Sequence, residues 1–194
     1  LAGQDLSRPT PEDSIQRGLV LASEDRRRYG LVLEHPIGFN LSLSSLKSIT
    51  GGGFIRRNIE TRRNQTVFND LRIKATGLEA ISGRLSGGNQ QKIVIGKWLV
   101  RAPRLLILDE PTIGVDIGAK SEIVDIVRAM ADKGTAVLVI SSELEELMAI
   151  SDRILVLHGG RIAQSVNRRD VATEEELHHA IQGHSHSAPK RGAA

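Results

Sequence analysis

Leu105-Leu106-Ile107-Leu108-Asp109-Glu110 is the stretch that decides the fold. Four apolar residues, with Pro103 just upstream and two acids downstream, predict a short, buried strand of a parallel sheet. Its end falls at the carboxyl edge of such a sheet, where open α/β folds bind their ligands. In a nucleotide hydrolase Asp109 would hold Mg²⁺ at that edge, directly or through water. Glu110, one residue on, would reach the attacking water as general base. A strand that simply ends in acids at a solvated loop has the same spelling, so the stretch alone leaves both readings open.

Outward from this strand the chain alternates. Ala119–Lys133 predicts a helix with Ile123, Ile126, Val127 and Met130 inward, stopped by Gly134. Ala136–Ile140 predicts a second buried strand, followed by a helix around Glu143–Met148. Ile154–Leu157 and Arg161–Val166 flank Gly159-Gly160, a hairpin signal. Thr173-x-x-Glu176 opens a last helix with a capping box. Upstream, Gln90 to about Arg101 predicts a helix with Ile95, Trp98 and Leu99 on one face. Thr10-Pro11 followed by Glu12 and Asp13 starts a short helix that Gly18 ends, and Leu19–Ala22 predicts a buried strand running into the charged loop Ser23–Tyr29. Leu31 to about Gly83 looks mostly helical, broken by Gly51-Gly52-Gly53. Strands alternating with helices argue for an α/β fold with a largely parallel sheet, and the middle stretch for a separate helical lobe.

Composition limits what this fold does. The 194 residues carry 26 Lys and Arg against 23 Asp and Glu, a net charge of +3, and no cysteine. Disulfides and cysteine metal clusters are therefore impossible for this sequence. The basic residues fall in scattered pairs and triplets, Arg26 to Arg28, Arg56-Arg57, Arg62-Arg63 and Arg168-Arg169, beside one Trp, one Tyr and three Phe. That leaves little aromatic surface for base stacking, so these are read as a solvated basic face and no nucleic-acid partner is expected. No apolar run approaches the length that spans a bilayer, so a membrane role is expected to run through a partner.

Leu85-Ser86-Gly87-Gly88-Asn89-Gln90-Gln91-Lys92 is a glycine-rich turn leading straight into a helix. The free N–H groups and positive dipole end at such a helix start can receive an anion, and Ser86 can add a hydroxyl donor. Serine and glycine at a helix start serve equally as a plain cap.

Taken together, these segments resemble the ATPase domain of ABC transporters. Leu85–Gln90 is similar to the family signature, and Leu105–Glu110 to its Walker B strand with the catalytic glutamate. Ile113-Gly114-Val115-Asp116, following Pro111-Thr112, resembles the loop that crosses the dimer interface. The Asn-Gln-Gln-Lys ending, Ser23-Glu24-Asp25-Arg26-Arg27 and Ser141-Ser142-Glu143 resemble the second ATPase domain of tandem monosaccharide-importer subunits of the ribose, xylose and galactose type.

The resemblance implies a P-loop NTPase-type parallel core from 1–32 and 97–182 and an inserted helical subdomain at 33–96; residues 183–194, small and polar, are expected to be a disordered tail. It implies ATP and Mg²⁺ as ligands, with Asp109 for the metal, Glu110 as catalytic base, and Ser86, Gly87, Gly88, Asn89, Gln90, Glu24, Asp116 and Ser142 around the nucleotide. It also implies a second ABC ATPase domain, tandem or homodimeric and arranged head to tail, permease subunits, indirectly a sugar-binding protein, and a place on the cytoplasmic face of the plasma membrane.

Departures matter as much. No G-x-x-x-x-G-K-[ST] phosphate loop occurs in the 194 residues. Gly114–Ser121 comes near, but Ala119 separates Gly118 from Lys120, and an inserted residue breaks the ring of N–H groups such a loop needs. In the family this loop precedes the signature, so the resemblance places it upstream of Leu1, and Leu1-Ala2-Gly3 resembles the end of the front β-subdomain. Ser142 aligns with the family's switch histidine, whose imidazole a serine cannot replace. Glu24 aligns with its Mg²⁺-sensing glutamine. These substitutions leave open a half-site that donates its signature to a competent partner and hydrolyses little itself. His178, His179, His184 and His186 read as a solvated polar end rather than a metal site.

Overall fold

The computed structural model describes residue 3 and residues 9–182. The expected disordered tail at 183–194, with His184 and His186, and the Leu1-Ala2 part of the Leu1–Gly3 match lie outside the described residues. By its contacts the chain forms two units, Leu1–Ile140 and Ser141–Ala194.

The first unit opens with helix α1 (Pro11–Gln16), where Thr10 and Asp13 form a reciprocal capping box. Gly18, at φ +85°, turns the chain into strand β1 (Leu19–Ala22). The chain then leaves the sheet for more than eighty residues. It passes through a π-helical turn at Arg26–Gly30 and helices α2 (Ile37–Ser42) and α3 (Leu46–Ile49). Gly51-Gly52-Gly53 does not break this stretch loosely, as the sequence suggested. Gly52 and Gly53 both take positive φ and fold strands β2 (Thr50–Gly51) and β3 (Phe54–Ile55) into a small antiparallel hairpin. Helix α4 (Arg57–Asp70) and helix α5 (Gly87–Leu99) follow.

The chain re-enters the sheet at strand β4 (Leu105–Asp109), crosses by helix α6 (Ile117–Asp132) and returns at strand β5 (Ala136–Ile140). The order is β1-β4-β5, all parallel, with Ala22 opposite Leu108 and Asp109 opposite Ile140. All three strands therefore end at one edge, which brings the loop bearing Glu24 and the acid pair Asp109-Glu110 to the same side. Val20, Ala22, Leu106 and Leu108 are buried on one face. The expectation that β5 is a buried strand is corrected here. Leu21, Leu138 and Ile140 are 43–49% exposed on the opposite face. The apolar run fixed the strand but carried no information on whether both faces are covered.

Helix α5 is buried almost all round, because α2, α4, α6 and β1 pack on it. Its buried residues are Gly88 and Gln90–Lys97, whereas Trp98 and Leu99, expected on one face with Ile95, are half-buried near its end. Helix α5 runs unbroken through residues 96 and 97, where the core and helical subdomain were expected to divide. Burying so much of one helix forces its polar residues to find partners. Lys92, 1% exposed, donates to Glu122 Oε2 of α6 at 2.6 Å and to the Arg72 carbonyl at 3.0 Å. Lys97 donates to the Gly30 carbonyl at 2.6 Å, and burial lowers its pKa.

Asn40 is fully buried on α2. It accepts from Val32 N at 2.8 Å and donates to the Val32 carbonyl at 3.0 Å and Ser82 Oγ at 3.0 Å, tying the start of the helical region to the segment before α5.

In the second unit helix α7 (Leu144–Ile150) is followed by the hairpin β6 (Arg153–His158) and β7 (Arg161–Asn167), turned by Gly159 and Gly160 at positive φ. Helix α8 (Glu174–Gln182) starts on the expected box, with Glu176 N donating to Thr173 Oγ1 at 3.2 Å. Ile154, Val166, Val171 and Leu177 form the core of this unit, with Leu144, Leu147 and Met148 against it. His178 and His179 are exposed on α8.

Glu122 joins α5 to α6 through Lys92 and also accepts from Lys74 at 2.8 Å. These bonds, first from Lys74 and then from Lys92, push its pKa down to about 2. A carboxylate with a lowered folded-state pKa contributes stability above its ordinary value near 4.5 and loses it as the pH falls toward 2. Glu122→Gln should therefore cost about 1 kcal/mol at neutral pH, the upper range for exposed pairs because Lys92 is buried. In urea unfolding of both proteins across pH, the gap should close between about pH 4.5 and 2.

Candidate functional site

The site is built where the first turn of α5 meets the loop between β4 and α6. Asp109 ends β4 and is half-buried. Glu110 takes φ +46°, a left-handed conformation that is strained for a residue with a Cβ. Its N–H donates to the Ile140 carbonyl at 2.8 Å, which holds that conformation against the end of β5. Two adjacent acids thus leave the strand from different backbone states. Pro111 and Thr112 are buried immediately after, and the turn closes with Ile113 N on the Glu110 carbonyl at 3.2 Å and Val115 N on the Thr112 carbonyl at 3.2 Å.

Asp116 caps α6, its Oδ1 accepting from Ala119 N at 2.9 Å. This explains physically why Gly114–Ser121 cannot be a phosphate loop. The Asp116 carboxylate already holds the Ala119 amide at that helix start, and Gly118 lies inside the helix.

Helix α5 begins differently. Ser86 has the extended backbone of an N-cap but makes no side-chain cap bond, so no side chain of that residue blocks the amides of the first turn. Ser86 Oγ instead accepts from Asn89 Nδ2 at 2.9 Å, which leaves the hydroxyl proton available to donate. Asn89 Oδ1 accepts from Lys74 N at 2.8 Å, so the Asn89 side chain fixes the turn. Gln90 belongs to the set expected around the nucleotide. It is buried and donates to the Ser82 and Leu85 carbonyls at 3.3 and 3.2 Å, shaping the approach to the turn from behind.

The glycines are there for space. A Cβ on Gly87 would lie 2.8 Å from the Gly114 carbonyl oxygen and 2.7 Å from Arg26 Nη2. A Cβ on Gly88 would lie 2.4 Å from the Cβ of Ala119. The signature-like turn is therefore in direct contact with the loop at Gly114 and with the first turn of α6 at Ala119, and only glycine fits between them. Sequence reasoning missed this contact, although small residues on both sides, Gly87-Gly88 and Gly118-Ala119, were a signal for it.

It also missed Arg26. Rather than joining a solvated basic face, Arg26 reaches back to donate to the Ile113 carbonyl at 2.8 Å and the Gly114 carbonyl at 3.2 Å. Burial lowers its pKa below the ordinary arginine value, and a guanidinium stays charged regardless. Glu24 is exposed on the same loop after β1. Ser142 is exposed at the start of the second unit, where neighbouring Ser141 Oγ donates to Glu146 and accepts from Glu143 N at the head of α7.

The sequence and the fold have counterparts among known proteins. The family model for the ABC transporter matches residues 2–113, more than half of the chain. The chain belongs to the ABC transporter family. A xylose import ATP-binding protein of Geobacillus kaustophilus is 45% identical over 175 residues, covering 90% of this chain and 34% of that protein. A ribose import ATP-binding protein of Rhodopirellula baltica is 45% identical over 179 residues, 92% of this chain and 35% of its own length. The chain spans about a third of the length of the curated relatives it matches.

Among solved structures, an ATP-binding cassette of an ABC transporter in its ADP conformation superposes with a TM-score of 0.71 at 21% identity. It covers 92% of this chain and 70% of that one. At that identity the likeness speaks for the ABC ATPase fold, which agrees with the parallel β1-β4-β5 core. No helix among the described residues is long and apolar enough to cross a membrane.

The Gly88–Ala119 contact yields a direct test. Gly88→Ala should destabilise the protein by about 1–3 kcal/mol through overpacking. Ala119→Gly in the same protein should recover part of that loss, so a double-mutant cycle in urea should show coupling between the two sites. Additive losses would mean that the turn and α6 do not touch.

Proposed function

We propose that the chain is part of an ATP-hydrolysing subunit that energises import of a monosaccharide through an ABC transporter. The observation that carries this reading is the joint placement of an uncapped glycine turn and an acid pair on touching loops, in a chain whose relatives are named for ribose and xylose import. In this reading two such domains, tandem or homodimeric, sandwich ATP head to tail. The Ser86 hydroxyl and the N–H groups of Gly87, Gly88 and Asn89 face the γ-phosphate held by the partner domain. Asp109 and Glu110 serve the nucleotide on their own side.

The residues fit both groups. Glycine turns and helix-start amides receive phosphate oxygens, and the Asp109 carboxylate is a hard oxygen donor suited to Mg²⁺. When bound, Mg²⁺ neutralises charge on the phosphates. Glu110 orients the attacking water and accepts its proton, and its backbone bond to Ile140 fixes that approach. Residues 33–96 form the lobe facing the permease, with Glu24 on the loop beside it. The assembly lies on the cytoplasmic face of the membrane, peripheral through that permease, with a sugar-binding protein as its indirect partner.

The substitution at Ser142 favours a second reading, in which this half-site donates its signature turn and hydrolyses little, since a hydroxyl cannot stand in for an imidazole. One mutant separates the two. In the protein at its natural length, Glu110→Gln should cut ATP turnover about 10²- to 10⁴-fold, the share of a general base. Near-normal turnover would assign hydrolysis to the other domain. The 194 residues alone, which contain no phosphate loop, should show no micromolar ATP affinity in a calorimetric titration.

A further inference from the structure

We propose that Arg26 is a positioning residue that clamps the 112–116 loop to the first turn of α5, so that turn and loop meet the partner domain as one unit. This rests on the ATPase reading above.

The geometry is specific. Arg26 lies on the loop after β1, and its two guanidinium nitrogens Nη1 and Nη2 donate to successive carbonyls, Ile113 and Gly114, 87 and 88 residues away. Nη2 also occupies the space beside Gly87, 2.7 Å from where a Cβ would stand. The planar fork thus fills the corner between three segments that the sheet alone does not join: the β1 loop, the loop after β4 and the start of α5. Its Nε is buried without a hydrogen-bond partner. That cost is tolerated only if the rest of the group is well held.

A lysine could not copy the arrangement. An ammonium is one point of charge, whereas two successive carbonyls are matched by the rigid fork. Asp25 holds the base of the clamp, its Oδ1 accepting from Arg28 N at 3.0 Å at the head of the π-helical turn that carries Arg26. Glu24 lies two residues from Arg26, and its carbonyl accepts from Arg26 N at 3.0 Å. The loop bearing Glu24, expected beside the nucleotide, is therefore joined to the loop expected to cross the dimer interface through one side chain.

The test uses Arg26→Met and Arg26→Lys in the protein at its natural length. Amide hydrogen exchange is read at Ile113 and Val115, whose N–H groups bond within the loop, and at Gln90 in the first turn of α5. Exchange should rise about 10- to 100-fold at these amides in Arg26→Met, as expected for losing bonds to a charged group, and rise by less in Arg26→Lys, with β4 unchanged. ATP turnover should fall about tenfold in kcat with the KM for ATP within about twofold, because Arg26 holds loops rather than nucleotide.

Unchanged loop exchange in both variants overturns the proposal, as does a rise spread evenly over β4 and α6. Faster loop exchange in a protein whose wild type hydrolyses no ATP upholds the clamp and rejects the ATPase reading alone.

Discussion

Everything at this site depends on how closely the first turn of α5 approaches the loop that follows β4. At Gly87 and Gly88 there is no room for a methyl group, with a carbonyl oxygen, a guanidinium nitrogen and the Cβ of Ala119 all inside 3 Å of where one would be. The contact places an uncapped helix start beside the loop that leaves the acid pair. Those two features belong to different parts of the sequence and, in the proposed function, to different nucleotides. A side chain at either glycine would separate them.

The rest of the fold holds that approach in place. Helix α5 is nearly enclosed, so its polar residues act as staples: Lys92 to Glu122 on α6, Lys97 to the Gly30 carbonyl, Gln90 to the carbonyls of Ser82 and Leu85. Each one is a buried polar group whose partner lies on another segment, and such a group is costly to bury without its hydrogen bonds. The parallel sheet contributes direction. Because β1, β4 and β5 end at one edge, the loop with Glu24 and Arg26 arrives beside the loop after Glu110. Arg26 then bridges the remaining gap.

Much of this was legible in the sequence. Four apolar residues followed by Asp109 and Glu110 were enough to place β4 and its edge, and caps at Thr10 and Thr173 marked helix starts because side-chain oxygens compete for free amides locally. What could not be read depended on distant partners. Leu138 and Ile140 looked buried since an apolar run is silent about which face is covered. Gly52 and Gly53 looked like a loose break, although positive φ at both builds a hairpin. The carbonyl partners that bury Gln90 could not be read, and Arg26 looked like surface charge because its acceptors lie nearly ninety residues away.

The central claim is that one chain serves two nucleotides across a single tight contact. A structure of the protein at its natural length, with Mg²⁺ and a non-hydrolysable ATP analogue, tests it most directly. The account predicts the carboxylate of Asp109 at the metal of one nucleotide, and the amides of Gly87 and Gly88 on the γ-phosphate of the other, with the Arg26 bridge intact. A signature turn facing solvent, with no phosphate across it in the closed assembly, would contradict it.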